Sequence, residues 1–253
     1  MIYIQKGKEP ASLTAYKKQA HAYYDGCNKD DIRENLLREQ GYLCAYCMRR
    51  IEKEKMKIEH WDPEDNLTEL ERLDYSNMLG VCLGHMNGQK KKDDTCDTHK
   101  GNVRIIVDPR DSRTLSEIKY RSKSGEIYSE NEDIQKDLNE TLNLNSEGHR
   151  LPQNRKEKLN AVINEIAKTM PQGTWTKEKI RNLMIEYGKC NSEGKNSGSC
   201  DFFIFTFSLP GCSDIPRYHC RLLLPPCSDI FHPSAIRLPD YYLKNRILKM
   251  SRG

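Results

Sequence analysis

The apolar positions change period several times along the chain, and each change marks an element. Residues 13–24 repeat at helical spacing, which predicts a first helix. A second helical run, IRENLLREQ at 32–40, can be capped by Asp30 or Asp31 and ended by Gly41. Residues 42–60 read as a hairpin that turns on a Cys-x-x-Cys, followed by a short strand over 57–60. The stretch 62–76 is acidic and irregular, and Met78 to Val81 is a brief apolar run. Residues 83–95 are rich in Gly, Lys and Asp and predict a loop, with a helical turn starting near Thr95. Past Ile106 the text turns polar. From Arg155 to Thr169, Leu159, Val162, Ile163 and Ile166 fall on one helical face. A further amphipathic helix is predicted from Thr176 to Tyr187; Thr176 caps it without the acidic third residue of a capping box.

The texture then breaks. Every phenylalanine lies after residue 201, as do most prolines, and half the cysteines lie from Cys190 onward. GCSDIP and PCSDIF form a short repeat, but two copies do not make a solenoid. This tail reads as a divergent terminal module or a frame-shifted end, and no chemistry is assigned to it. The expected organisation is a helical segment at 1–40, a core at 41–110, a mainly helical region at 111–188 and an atypical Cys-, Pro- and Phe-rich tail at 189–253. Truncation after Gly188 is expected to leave the core intact.

Composition narrows the class. The 253 residues are enough to bury a sizeable core. A net charge of +4 does not by itself argue for nucleic-acid binding, so local charge matters more. No apolar run approaches the roughly 18 residues of a membrane span, and MIYIQKGKEP lacks the apolar stretch of a signal peptide. A cytoplasmic location is the expectation. Thiols stay reduced there, so clustered cysteines point to metal rather than to disulfides.

Four cysteines of the first half stand at telling positions. Cys44 and Cys47 form a knuckle, Cys82 follows the apolar run, and Cys96 opens CDTHKG. Two pairs of thiolates can close a tetrahedral zinc site. A redox dithiol would need a thioredoxin-like βαβ context, which is missing. Cys82-Leu83-Gly84-His85 offers a second closing pair, so His85 competes with Cys96 for the fourth place. Cys96 is preferred because CDTHKG resembles the Cys-polar-x-x-Lys that closes treble-clef zinc knuckles.

Between the two halves lie Glu59-His60-Trp61-Asp62-Pro63 and then Asn77. The order Glu-His, Asn, Cys, Cys-Asp-x-x-Lys resembles the HNH endonucleases with a zinc-stapled ββα-metal fold. GYLCAYCMRRI, KIEHWDP, LDYSNMLGVC, CDTHKGN and the opening QKGKEPASL look closer still to the PtuB-type nucleases of Septu anti-phage systems and related retron cassettes. The HNH match runs from Cys44 to about Asn102, and the wider resemblance covers about the first 188 residues.

That resemblance implies an α+β fold: a zinc-stapled ββα-metal, treble-clef-like core between helical N- and C-terminal regions. It implies an endonuclease that hydrolyses phosphodiester bonds, with DNA favoured and tRNA or other RNA as the alternative. His60 would be the general base, since imidazole exchanges protons near neutral pH. Asn77 or a backbone carbonyl would fix its tautomer, although Asn77 also suits a plain turn before a strand. Glu59 and Asp97 would bring a catalytic Mg²⁺ hard oxygen ligands. His99 is the competing ligand, and Asp97 also suits a helix N-cap. Lys100 and the loop residues Lys90, Lys91 and Lys92 are candidate phosphate contacts, or plain solvated charges. Trp61 is expected to pack under the knuckle. Implied partners are nucleic acid, a PtuA-type ABC/SMC-like ATPase that holds and regulates the nuclease, and a retron reverse transcriptase with its RNA–DNA product. A non-catalytic zinc module that only binds nucleic acid or protein is the competing class; it would have no need of Glu59-His60.

Overall fold

The computed structural model describes residues 1–169 and isolated helical positions at 178, 179 and 182. Those three positions are all that is described of the helix expected over 176–187, and everything expected of the tail, including its truncation, lies outside the described residues. Within them the protein mixes short helices with two small sheets, an α+β arrangement.

Helix α1 spans Ala11–Tyr16 only. The helical spacing read through residue 24 outruns the helix: turns begin at Lys17, and His21, at φ 62°, bends the chain further on. Helix α2, Lys29–Gln40, is capped by Asn28, whose side chain accepts from the amide of Asp30; the expected caps Asp30 and Asp31 fall inside the first turn. Gly41 ends it in the left-handed conformation, at φ 61°. Ile32, Leu36 and Leu37 bury one face. Each such side chain contributes about 1.5–3 kcal/mol on burial.

The knuckle follows. Leu43 bridges Arg50 around Cys44 and Cys47. Strand β1, Met56–His60, then pairs antiparallel with β2, Met78–Cys82, in the register Glu59 opposite Leu79 and His60 opposite Met78. The acidic connection between them is pinned by three short 3₁₀ turns. Helix α3, Cys96–Lys100, packs on β2. Thr95 holds its N-cap position, so Asp97 sits inside the first turn instead of capping it. The local sequence of elements is therefore strand, strand, helix, with the cysteine knuckle ahead of it.

Helix α4 is Ser112–Ser116, and strands β3 (Lys119–Tyr120) and β4 (Ile127–Tyr128) make the second sheet. Helix α5, Glu132–Lys136, runs into a wide turn, Asp137–Thr141. Helix α6, Leu151–Thr169, begins one turn before the predicted start and buries Leu159, Val162 and Ile166. One buried apolar cluster runs from Met1 to Ile166 and so crosses the boundaries expected at 40 and 110. No helix among the described residues is long and apolar enough to cross a membrane.

Candidate metal centre and adjoining charged site

Cys44 and Cys47 enter from the knuckle, Cys82 from the end of β2 and Cys96 from the start of α3. All four are buried and free, and their sulfurs lie within 4.8 Å of one another. The Sγ–Sγ distances are 3.8 Å for Cys44–Cys96 and 3.7 Å for both Cys47–Cys82 and Cys82–Cys96. These are far from the roughly 2.05 Å of a disulfide. A tetrahedron with metal–sulfur bonds of about 2.3 Å has edges of about 3.8 Å, so the four sulfurs fit an ion such as zinc. Burial raises the thiols of Cys44 and Cys96, while hydrogen bonds from neighbouring cysteines lower those of Cys47 and Cys82. His85 is not part of the cluster. Its Nδ1 lies 2.6 Å from Asp94 Oδ1 and its side chain is 45% exposed.

The expected catalytic residues split across the two faces of β1, as alternation requires for neighbours. Glu59 faces α3. Its carboxylate lies 2.8 Å from Lys100 Nζ and accepts a hydrogen bond from Tyr46 Oη at 3.1 Å. Burial first, then a hydrogen bond and charge from Asp97, push Glu59 up to about 8 against the pull of Lys100. Burial also raises Asp97, but hydrogen bonds from Glu59 and Lys57 outweigh it and hold that acid below its usual range. Lys57 Nζ sits 2.8 Å from Asp97 Oδ2.

Two carboxylates thus meet, as expected for Mg²⁺, but each already carries a lysine. His99 does not join them; its Nδ1 bonds the carbonyl of Thr141 at 3.0 Å. Among the described residues, the cysteines are the one cluster of three or more metal-ligating groups. The donor set therefore does not fit a resident Mg²⁺. Lys100 is 2% exposed and spent on Glu59, which corrects its expected role as a phosphate contact. Lys90, Lys91 and Lys92 are exposed on the loop before α3.

His60 lies on the other face, 3% exposed. Its Nε2 is 2.8 Å from the carbonyl of Arg72. A carbonyl only accepts, so Nε2 carries the hydrogen and Nδ1 is the basic nitrogen. Nδ1 stands 3.0 Å from Glu64 Oε1, off the line a hydrogen bond needs, and has no hydrogen-bond partner. The ring of Tyr24 meets His60 edge-on at 4.6 Å. Asn77 makes no hydrogen bond to the imidazole. Its amide grips the backbone of Asp62, accepting from the N–H at 2.9 Å and donating to the carbonyl at 3.0 Å. The expected orienting role falls to the Arg72 carbonyl, and Asn77 fixes the turn after His60. Trp61 packs against the core as expected, and its indole N–H donates to the carbonyl of Val107 at 2.9 Å.

Sequence reasoning missed Lys57, Tyr46, Tyr24, Glu64 and Arg49. Lys57 was within reach of it: two residues before Glu59 on a strand means the same face. Tyr24 and Glu64 come from separate segments and carry no such signal. The chain matches no protein-family model and no curated protein, so the family resemblance rests on its motifs alone.

Proposed function

We propose that the chain is a zinc-stapled nuclease of the HNH type, hydrolysing phosphodiester bonds with His60 as general base. The single observation that carries this reading is the buried Nδ1 of His60, which makes no hydrogen bond and faces the Glu64 carboxylate at 3.0 Å. A buried nitrogen left without a hydrogen bond calls for a functional explanation. Here the opposite nitrogen is tethered to a carbonyl, which selects the tautomer a base needs. Nδ1 would take a proton from a water whose oxygen bonds to the phosphorus, the bond from phosphorus to the 3′ oxygen would break, and that oxygen would take a proton from solvent. Glu64, whose side chain is 44% exposed, is the group over Nδ1 free to swing aside as substrate enters.

In this reading zinc is structural: Cys44, Cys47, Cys82 and Cys96 hold it and fix α3 against β2. No step is assigned to Mg²⁺, since Lys57 and Lys100 occupy the carboxylates that would receive it. Lys90, Lys91 and Lys92 supply the exposed charge for a phosphate backbone. DNA is the favoured substrate and RNA the alternative. The motif resemblance adds a defence role, with targeting by a PtuA-type ATPase.

The test is His60→Ala in the chain bound to that ATPase, offered labelled DNA and total RNA with and without Mg²⁺. Cleavage should fall by about 10²–10⁴-fold with zinc content unchanged. Cleavage at the wild-type rate would leave a binding module held together by zinc. That second reading is favoured by the deep burial of His60 beneath Tyr24.

A further inference from the structure

A buried tetrathiolate site has a charge problem that its ligands cannot solve. Four thiolates around Zn²⁺ carry a net charge of about −2, and buried charge needs a partner. Arg49 stands against this cluster. Its Nε lies 3.5 Å from Cys47 Sγ, and its Nη2 lies 3.5 Å from Cys82 Sγ and 3.3 Å from Thr95 Oγ1. The third nitrogen, Nη1, donates to His149 Nδ1 at 2.9 Å.

We propose that Arg49 is the outer-shell cation of the thiolate site, balancing two of its sulfurs and tying the metal to the 141–149 segment through His149. The proposal rests on the zinc reading above and extends it to a positioning residue outside the ligand set.

Local backbone supports the placement. Met48 adopts φ 63°, a conformation side chains avoid, and so reverses the chain between Cys47 and Arg49. The amide of Cys44 then donates to the carbonyl of Arg49 at 2.8 Å and closes the knuckle. The guanidinium presents separate nitrogens to two sulfurs and a ring nitrogen, a spread planar fork where a lysine ammonium would offer one point of charge.

His149 is buried at 3% exposure. Because its Nδ1 accepts from Arg49, its Nε2 carries the hydrogen, and that atom has no partner. The segment around it wraps the arm that bears Cys96. The amide of Cys96 donates to the carbonyl of Leu142 at 2.8 Å, Asn143 Nδ2 donates to the carbonyl of Asp94 at 2.9 Å, and Ser146 Oγ donates to the carbonyl of Asp93 at 3.2 Å. The sulfurs, Arg49, His149 and the arm that bears Cys96 therefore form a closed ring of contacts. Outer-shell partners of this kind are typically worth about 10–100-fold in metal affinity.

The experiment uses the full chain. Zinc affinity is read by competition with a chromophoric chelator, and amide exchange is read over 141–149. Arg49→Gln should weaken zinc by about 10–100-fold. Arg49→Lys keeps the charge but not the fork; its affinity should fall between the two, and its 141–149 amides should exchange faster. His149→Phe should speed that exchange at nearly wild-type affinity. Wild-type affinity in Arg49→Gln overturns the proposal. If the Gln variant does not fold, wild-type affinity and exchange in Arg49→Lys overturn it equally. A wild-type chain that holds no tight zinc sinks the zinc reading itself, before any variant is compared.

Discussion

Glu59 shows how one buried residue can take sides in stability. It is 5% exposed, with an ammonium on one side and a carboxylate on the other. The folded chain keeps a proton on Glu59 up to about pH 8, whereas the unfolded chain releases it near 4.5. The stability this group contributes is therefore full below its unfolded value and is lost as pH rises through about 8. Lys100→Met removes the cation that opposes this loss. Without that cation Glu59 holds its proton to still higher pH, so the variant should lose little at about pH 5, where Glu59 is neutral in both proteins, and more at high pH, where the unfolded chain alone has released the proton. Adding Glu59→Gln should recover much of that loss. Urea unfolding at about pH 5 and about pH 8.5 checks this; a single variant equally destabilised at both would refute it. The four cysteines were legible in the sequence: Cys44 and Cys47 from their knuckle spacing, Cys82 from its place after the apolar run, and Cys96, in competition with His85, from the resemblance of CDTHKG to a treble-clef closing motif. Arg49 was not, because only the reversed backbone at Met48 sends that side chain over the sulfurs.

Among the elements, α2 and β2 are joined by one side chain. Gln40 is 1% exposed, and its amide completes the hydrogen bonding of Gly80. Oε1 accepts from the Gly80 N–H at 2.7 Å, and Nε2 donates to the carbonyls of Gly80 at 2.7 Å and Leu43 at 2.8 Å. A side chain here stands in for a third strand. Gln40→Leu should cost about 1–3 kcal/mol by leaving the buried Gly80 amide unpaired. Gly80→Ala should cost less, since a Cβ there would meet Met56 Cε, the flexible end of a side chain, at 2.9 Å and would press on the Gln40 amide at 3.2 Å. Chemical denaturation of both variants measures this, and a loss below about 0.5 kcal/mol in each would show that the clamp is unimportant. The end of α2, the two strands and the start of α3 could be read from turn residues and periodicity. The length of α1 could not, because the apolar spacing continues past Tyr16 into the turns that follow it, where Ala22 and Tyr24 are buried outside the helix. Gln40 looked like one more polar residue at a helix end; only its partners on β2 make it part of the core.

For the molecule as a whole, the ligand cluster and the hairpin depend on segments far along the chain. The amide of Ile4 donates to the carbonyl of Pro109 at 2.8 Å. Asp137 Oδ2 accepts from the amides of Ile106 at 2.6 Å and Val107 at 3.1 Å. Tyr24 covers His60, and Leu142 holds the amide of Cys96. A fragment of residues 41–110 would contain every cysteine of the cluster together with Glu59, His60 and Asn77, yet lose all these supports. Zinc contributes roughly 10 kcal/mol or more in isolated fingers, enough to hold a knuckle alone. It cannot cover the His60 face or pair the amides at 106 and 107, because neither touches the sulfurs. The zinc-loaded fragment should therefore protect its amides around Cys44–Cys47, while those from His60 to Asn77 exchange freely. In the full chain both regions should be protected. Amide exchange followed by NMR on the two proteins decides it. Equal protection across 60–77 in the fragment would mean that the core folds alone and that residues 1–40 and 111–169 are attachments to it.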